Sequence, residues 1–326
     1  MEAKKMEKLS ATETMNSLYD QALKIKTKST DYLIREVTPE KVQFNDFGGL
    51  DFMSDDGRVA SLELSRFALG QLGTKLHVPG QYIENCLNAG FYGLAKENVN
   101  TWIPYYHGGL KLRETDNHLR AVLSPRYSVY DSDRILDVIS DKVDFNEYSI
   151  KNAFISEERL HVRLAHNEHL NVDGEDLFPA LFIDSSDVGR NTLVITFGIY
   201  KFICTNGLVI GKCGGTLYRQ RHIGIDPEEF EYGIAAGLKN IPMLIENAEE
   251  WVKKAISEKI SMESMLAHLK AMDMGKKDSD KVIDLMKTRY GMSKWGFING
   301  ITEVAQQFTL DKREQLEAAA GRLLAA

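Results

Sequence analysis

Apolar side chains recur about one helical turn apart at Met15, Leu18, Tyr19 and Ala22, which predicts an amphipathic helix over residues 8–27. Alternating apolar and polar positions then predict short strands at Tyr32–Val37, Val42–Asp46 and Leu50–Met53, the last two separated by a Gly48-Gly49 turn. Ser61–Leu76 reads as a helix that buries Leu62, Phe67, Leu69 and Leu72. Pro79 restarts the chain into a second helix, Gln81–Leu87, and residues 91–102 continue the helical period. A DNA-reading helix pair would place cations or amides on the exposed start of its second helix. Here that start, Gly80-Gln81-Tyr82-Ile83-Glu84-Asn85, carries an acid and no cation, so the pair is expected to serve the core.

From Gly109 the pattern turns to strands. Gly109–Arg113 and Leu119–Leu123 flank the polar turn Glu114-Thr115-Asp116-Asn117 and read as a hairpin. Asp131 or Ser132 can cap a helix running from Asp133 to Val143. Tyr148–Ser156 with Arg159–His166, and Leu177–Asp184 with Thr192–Ile203, form further strand pairs. Thr192–Ile203 is nearly continuous in β-branched and aromatic residues, as expected of a strand buried on both faces. After Asp226-Pro227 the chain is helical, with helices expected at Phe230–Lys239, Pro242–Lys259, Met262–Met272, Ser279–Tyr290, Trp295–Gln307 and Asp311–Leu324. Short hairpin connections favour antiparallel pairing. The expected class is therefore α+β, a central mostly antiparallel sheet with N-terminal helices and a helical C-terminal third. The expected division is a helix with short strands over 1–60, an α+β core over 61–226, and a helical region over 227–326 that packs on the core or serves assembly.

At 326 residues, 43% hydrophobic and 27% charged, the composition is that of a globular protein. A net charge of −7 excludes a protein that coats nucleic acid with its whole surface, but leaves room for a local basic groove. Cys86, Cys204 and Cys213, without a secretory leader, point to reduced thiols and a cytoplasmic location. No stretch of about 18 apolar residues is present, so no membrane partner is expected.

Little in the sequence promises catalysis. Gly207-Leu-Val-Ile-Gly211-Lys212-Cys213 has the wrong spacing for a phosphate-binding loop and lacks the hydroxyl after the lysine, so no nucleotide cofactor is expected. Cys204 and Cys213 have no second pair, and His161 and His166 would point to opposite faces of one strand, so no metal site is expected. Asp131-Ser132-Asp133 and Asp278-Ser279-Asp280 both sit at expected helix starts, where carboxylates cap free amides. No catalytic residue is assigned, and the chain is expected to bind rather than to catalyse.

One segment breaks the acidic pattern. Val188–Ile225 holds five cations (Arg190, Lys201, Lys212, Arg219 and Arg221) with His222 and no acid, interleaved with Phe197, Tyr200, Phe202 and Tyr218. Cations release counterions from phosphates, and aromatic faces stack unpaired bases. Arg190, Lys201, Lys212, Arg219 and Arg221, with Tyr218 as a stacking platform, are therefore candidate nucleic-acid contacts. Arg120 and Arg126 form a weaker second cluster with Arg113, Tyr127 and Tyr130, open also to pairing with Glu114, Asp131 or Asp133.

Three phrases together carry a family likeness. Leu119-Arg120-Ala121-Val122-Leu123-Ser124-Pro125-Arg126-Tyr127 followed by Asp131, then Cys204-Thr205-Asn206-Gly207-Leu208 with Arg219-Gln220-Arg221-His222, then Trp295-Gly296-Phe297-Ile298-Asn299-Gly300-Ile301-Thr302-Glu303, resemble the signatures of a phage- and plasmid-borne family of unknown function. The match covers about residues 60–310, and Gly300 stands where the resemblance leads one to expect alanine. The resemblance implies mobile DNA and no established activity. The expected function is ATP-independent single-stranded DNA binding or annealing as a homo-oligomer. The alternative is an inhibitor or decoy that binds a host protein through acidic residues such as those of Asp226–Glu231.

Overall fold

The computed structural model describes residues 10–128, 130–203, 206–210, 216–224 and 226–325. Helix α1 (Ala11–Thr27) opens with a reciprocal capping box between Ser10 and Glu13 and buries Met15, Leu18 and Ala22. Strands β1 (Ser29–Ile34), β2 (Val42–Phe44), β3 (Gly49–Met53) and β4 (Val59–Leu64) follow. Next come helices α2 (Arg66–Leu76), α3 (Gly80–Asn88) and α4 (Tyr92–Trp102), and then the hairpin β5 (Leu110–Thr115) and β6 (His118–Leu123). Asp116 and Asn117 both take positive φ, 52° and 64°, as the two-residue turn of a right-twisted hairpin requires. Val59–Leu64 is a strand, not the first turns of the helix expected from Ser61. Its alternating exposure fits a pleat, and the Ser65 side chain caps α2 four residues later than expected.

The strand-rich region divides into two sheets. The first has the order β1-β5-β6-β4-β3-β2 and is antiparallel except between β4 and β6. Its inner face closes over α2, α3 and α4 around Phe44, Leu50, Leu72, Ile83 and Val99, so the helix pair is core, as expected. Residues 29–53 thus pair within one sheet with residues 59–123, and the boundary expected at 60/61 runs through β4.

Helix α5 (Ser132–Ser140) leads into the second sheet, built from β7 (Tyr148–Ile155), β8 (Leu160–His166), β9 (Leu170–Val172), β10 (Glu175–Ser185), β11 (Leu193–Ile203), β12 (Asn206–Ile210) and β13 (Thr216–Gln220). Its order is β12-β11-β10-β8-β7, with β13 also on β11 and β9 on β10. Asn206 and Gly207 pair with Ile203 and Phe202 and belong to β12. Leu160, Val162, Leu164, Leu181, Ile183, Leu193 and Ile195 pack on α1, α5 and α6 (Pro227–Leu238).

Helices α7 (Ile241–Ser257), α8 (Met262–Ala271), α9 (Lys276–Leu285, continued by a wider turn to Tyr290), α10 (Lys294–Ala305) and α11 (Leu310–Ala325) complete the chain. They share a core with Phe197 and Ile199 of β11. The Ala-rich end is integral to it, because Leu316, Ala320 and Leu324 are buried there. The class is α+β with a helical C-terminal region. Among the described residues no helix is long and apolar enough to cross a membrane.

Candidate functional site

The two sheets meet at a buried ionic junction. Arg113 of β5 and Arg120 of β6 project from the first sheet, away from its helices. The turn after β10 brings Asp187 from the second. Arg120 is 2% exposed and grips the Asp187 carboxylate with two nitrogens, at 3.0 and 3.2 Å, while its Nε donates to the Glu157 carbonyl at 3.0 Å. Arg113 donates to Asp131 Oδ1 at 2.6 Å and lies 3.4 Å from both Asp187 and Asp31. Asp131 does occupy the cap position of α5, but its carboxylate serves Arg113 and makes no cap hydrogen bond. Burial pushes the Asp131 carboxyl above the usual carboxylate range, against the pull of Arg113. Lys26 of α1 bonds Asp133 at 2.7 Å from the other side. A narrow cleft of about 10 Å³, room for a single water, opens here between Lys26, Arg120, Asp131, Ser132, Ser156 and Asp187. That is below the roughly 300 Å³ at which small-molecule sites begin.

Above this junction two of the phrases behind the family resemblance touch. Tyr127 and Ile223 form an isolated antiparallel bridge, Ser128 N–H donates to the His222 carbonyl at 2.9 Å, and the rings of Tyr127 and His222 stack 9° from parallel. Tyr127 also donates to the Ser186 carbonyl at 2.9 Å, which ties the bridge to the turn carrying Asp187. Burial lowers the proton affinity of the His222 ring and raises that of the Tyr127 hydroxyl.

The residues expected to contact nucleic acid therefore fare differently. Arg120 is enclosed in the junction and cannot meet a solvent-borne strand. Arg190 pairs with Glu158 and, at 3.1 Å, with Asp311 of α11. Lys201 is largely covered, pairs with Glu175 and lies 5.8 Å from the rings of Tyr290 and Trp295. Tyr218 is half-buried, its ring meeting Phe230 edge to face with centroids 6.0 Å apart and its hydroxyl pKa pushed up to about 12 by burial, so it is committed to the core packing of α6 rather than standing free as a stacking platform. Lys212 lies outside the described residues. Arg126, Arg219 and Arg221 are exposed, and none pairs with a carboxylate among the described residues. Arg126 and Arg221 sit within two residues of the Tyr127–Ile223 bridge, and Arg219 is the penultimate residue of β13 just before it.

A second ionic layer, absent from the sequence reading, lies between the outer face of β8 and β10 and helix α11. Arg159 just ahead of β8 and His161 and Arg163 along it alternate in sequence, while Glu314 and Glu317 stand one turn apart on α11. Arg163 bonds Glu317 at 2.9 Å and Glu314 at 3.1 Å, and His161 Nδ1 meets Asp184 at 2.7 Å. His161, Asp184 and Glu314 come close enough to hold a cation. Arg159 Nη2 already stands among them, 2.5 Å from Asp184, 2.6 Å from Glu314 and 3.3 Å from His161, so a guanidinium supplies the charge a metal would. The signal available in the sequence was the Arg-x-His-x-Arg alternation matched with Glu-x-x-Glu in the last helix.

Residues 120–325 match the family described as Domain of unknown function (DUF932). The chain belongs to that family. The matched DUF932 region begins at Arg120, the arginine that crosses from the first sheet to the second, and takes in the whole second sheet and the C-terminal helices. Strands β1–β5 and helices α2–α4 lie ahead of it. No curated protein and no solved structure matches the chain.

Proposed function

We propose that this DUF932 protein is a mobile-element, cytoplasmic DNA-metabolism protein that binds single-stranded DNA without ATP. In this reading the contact surface is smaller than the sequence suggested. It is the arginine rim of Arg126, Arg219 and Arg221 beside the Tyr127–His222 stack, and the observation that carries it is that these three exposed guanidiniums meet no carboxylate among the described residues. A phosphate backbone tracking the rim replaces condensed counterions with fixed cations, and binding then weakens with salt. Arg120, Lys201 and Arg190 have structural duties and contribute nothing to the slope. In a titration of labelled single-stranded oligonucleotide at increasing salt, the triple variant Arg126→Ala/Arg219→Ala/Arg221→Ala is expected to flatten the log–log slope by about two, at roughly 0.7 per lost single-strand phosphate contact. Absence of binding at low salt, or an unchanged slope in the triple variant, refutes the reading.

A second reading is favoured by the chemistry next to the rim. The first turn of α6 exposes Glu228 and Glu229, and Tyr232 on the same helix is 76% exposed. An acidic patch with a protruding tyrosine suits a basic protein partner, as an inhibitor or decoy would need. The same titration separates the two, because excess salt-sensitive binding to a polycationic protein with none to oligonucleotide would favour the second.

A further inference from the structure

The first sheet's helices carry an aromatic flank that the fold leaves open. Helix α4 turns Ala95 and Val99 inward, as does Ile103 just past its end, and Leu94, Asn98 and Trp102, spaced by four, share another face of the helix. Tyr82 on α3, Phe91 at the head of α4 and Tyr105 just beyond its end continue the stripe. Asn98 Nδ2 reaches Tyr82 Oη at 3.4 Å, and the rings of Trp102 and Tyr105 meet edge to face at 5.9 Å. Exposures of 39% for Tyr82, 60% for Phe91, 45% for Leu94, 46% for Trp102 and 70% for Tyr105 leave about 500 Å² of open side chain, taking 150–250 Å² for a whole aromatic residue. That reaches the largest patch of an ordinary monomer.

We infer that this flank is a two-fold interface between two copies of the chain. Three observations point to a second copy rather than to a charged partner. The flank is nearly free of net charge. The charges of α3 and α4 are Glu84, Lys96 and Glu97, and the first two are spent on Arg66 and Asp46. A strongly charged partner would find nothing to pair with, whereas two copies, each at −7 overall, meet where their repulsion is least. The stripe is also symmetric about its middle. With two α4 helices antiparallel across a two-fold axis, Leu94 of one copy faces Trp102 of the other and Asn98 lies near the axis, as an isologous contact requires. The area suffices as well. Two such flanks remove about 1,000 Å², and their polar borders at Gln81, Asn85 and Thr101 bring the total into the range of specific interfaces.

The test uses the full chain. Sedimentation equilibrium across micromolar concentrations should show a monomer–dimer equilibrium, and Trp102→Ala and Leu94→Glu should each raise the dissociation constant by roughly tenfold or more while leaving the far-ultraviolet spectrum unchanged. Asn98→Cys, placed near the axis, should form a disulfide-linked dimer in oxidising buffer, as two cysteines with Cα atoms within about 7 Å can. Thr74→Cys, exposed on α2, and the parent chain should not. A wild-type chain that stays monomeric assigns the flank to some other partner and overturns the inference. A dimer indifferent to Trp102→Ala and Leu94→Glu, with no linkage at Asn98→Cys, overturns it equally, because the contact then lies elsewhere.

Discussion

Asp187→Ala tests whether the junction between the sheets is held by charge. The substitution removes both carboxylate oxygens from Arg120, at 3.0 and 3.2 Å, and one from Arg113 at 3.4 Å. Arg113 keeps Asp131 at 2.6 Å, so its loss is small. Among the described residues Arg120 keeps only the Glu157 carbonyl and the Thr115 hydroxyl at 3.4 Å, and its cation is left inside the protein. Removing one partner of a buried pair costs about 3–5 kcal/mol, mostly for the stranded charge. At roughly 2 °C per kcal/mol for a chain of this size, melting should fall by about 6–10 °C. Urea denaturation and calorimetry of wild type, Asp187→Ala, Arg120→Met and the double variant complete a cycle. The double variant should be less destabilised than the two single losses added together, with a coupling of about 2–3 kcal/mol, because it buries no unpaired charge. A loss below about 1 kcal/mol in Asp187→Ala, or strict additivity in the cycle, would refute the argument. The same variants bear on function, since Arg120→Met should leave oligonucleotide affinity per folded molecule unchanged.

Gly296→Ala would set a Cβ 2.1 Å from the Gly291 carbonyl oxygen, a backbone atom that cannot swing aside, so a loss of roughly 3 kcal/mol or more is expected in denaturant titration. Gly300→Ala meets Val282 Cγ1 and the Val282 carbonyl at 3.1 Å, so the alanine expected from the family resemblance should cost about 1 kcal/mol, and a gain in stability would contradict the packing described. His222 has its proton affinity lowered by burial, so the unfolded chain binds that proton more readily. Its contribution is whole above the unfolded pKa of about 6.5 and is lost as pH falls through that value toward the folded one. His222→Phe, which keeps the stack on Tyr127, should flatten the fall in stability between neutral and mildly acidic pH, and an unaltered urea-midpoint profile would count against it. Glu317→Ala leaves Arg163 with Glu314 at 3.1 Å and takes the same carboxylate from Arg313, so it should cost about 2 kcal/mol, with an α11 that exchanges its amide protons faster than α10.

Local chemistry was enough to read much of the secondary structure. Asp116-Asn117 turns its hairpin within the polar break that predicts it, and the β-branched and aromatic run is buried on both faces from Ile195 to Tyr200. Each of these depends on neighbours within a few residues. The strand Val59–Leu64 escaped because Leu62 and Leu64 suit either period, and only pairing with β3 and β6 decides between them. What each charge does was decided by the tertiary structure alone. An acid-free segment is not a basic surface when its acids arrive from elsewhere in the chain. Glu158 and Asp311 reach Arg190, Glu175 reaches Lys201, and Asp187 encloses Arg120. Coulomb attraction acts over a few ångströms of space without regard to position in the sequence. Local pattern could therefore determine helices, turns and strands, while the difference between an enclosed guanidinium and the open rim of Arg126, Arg219 and Arg221 arose only when the two sheets and the last helix came together.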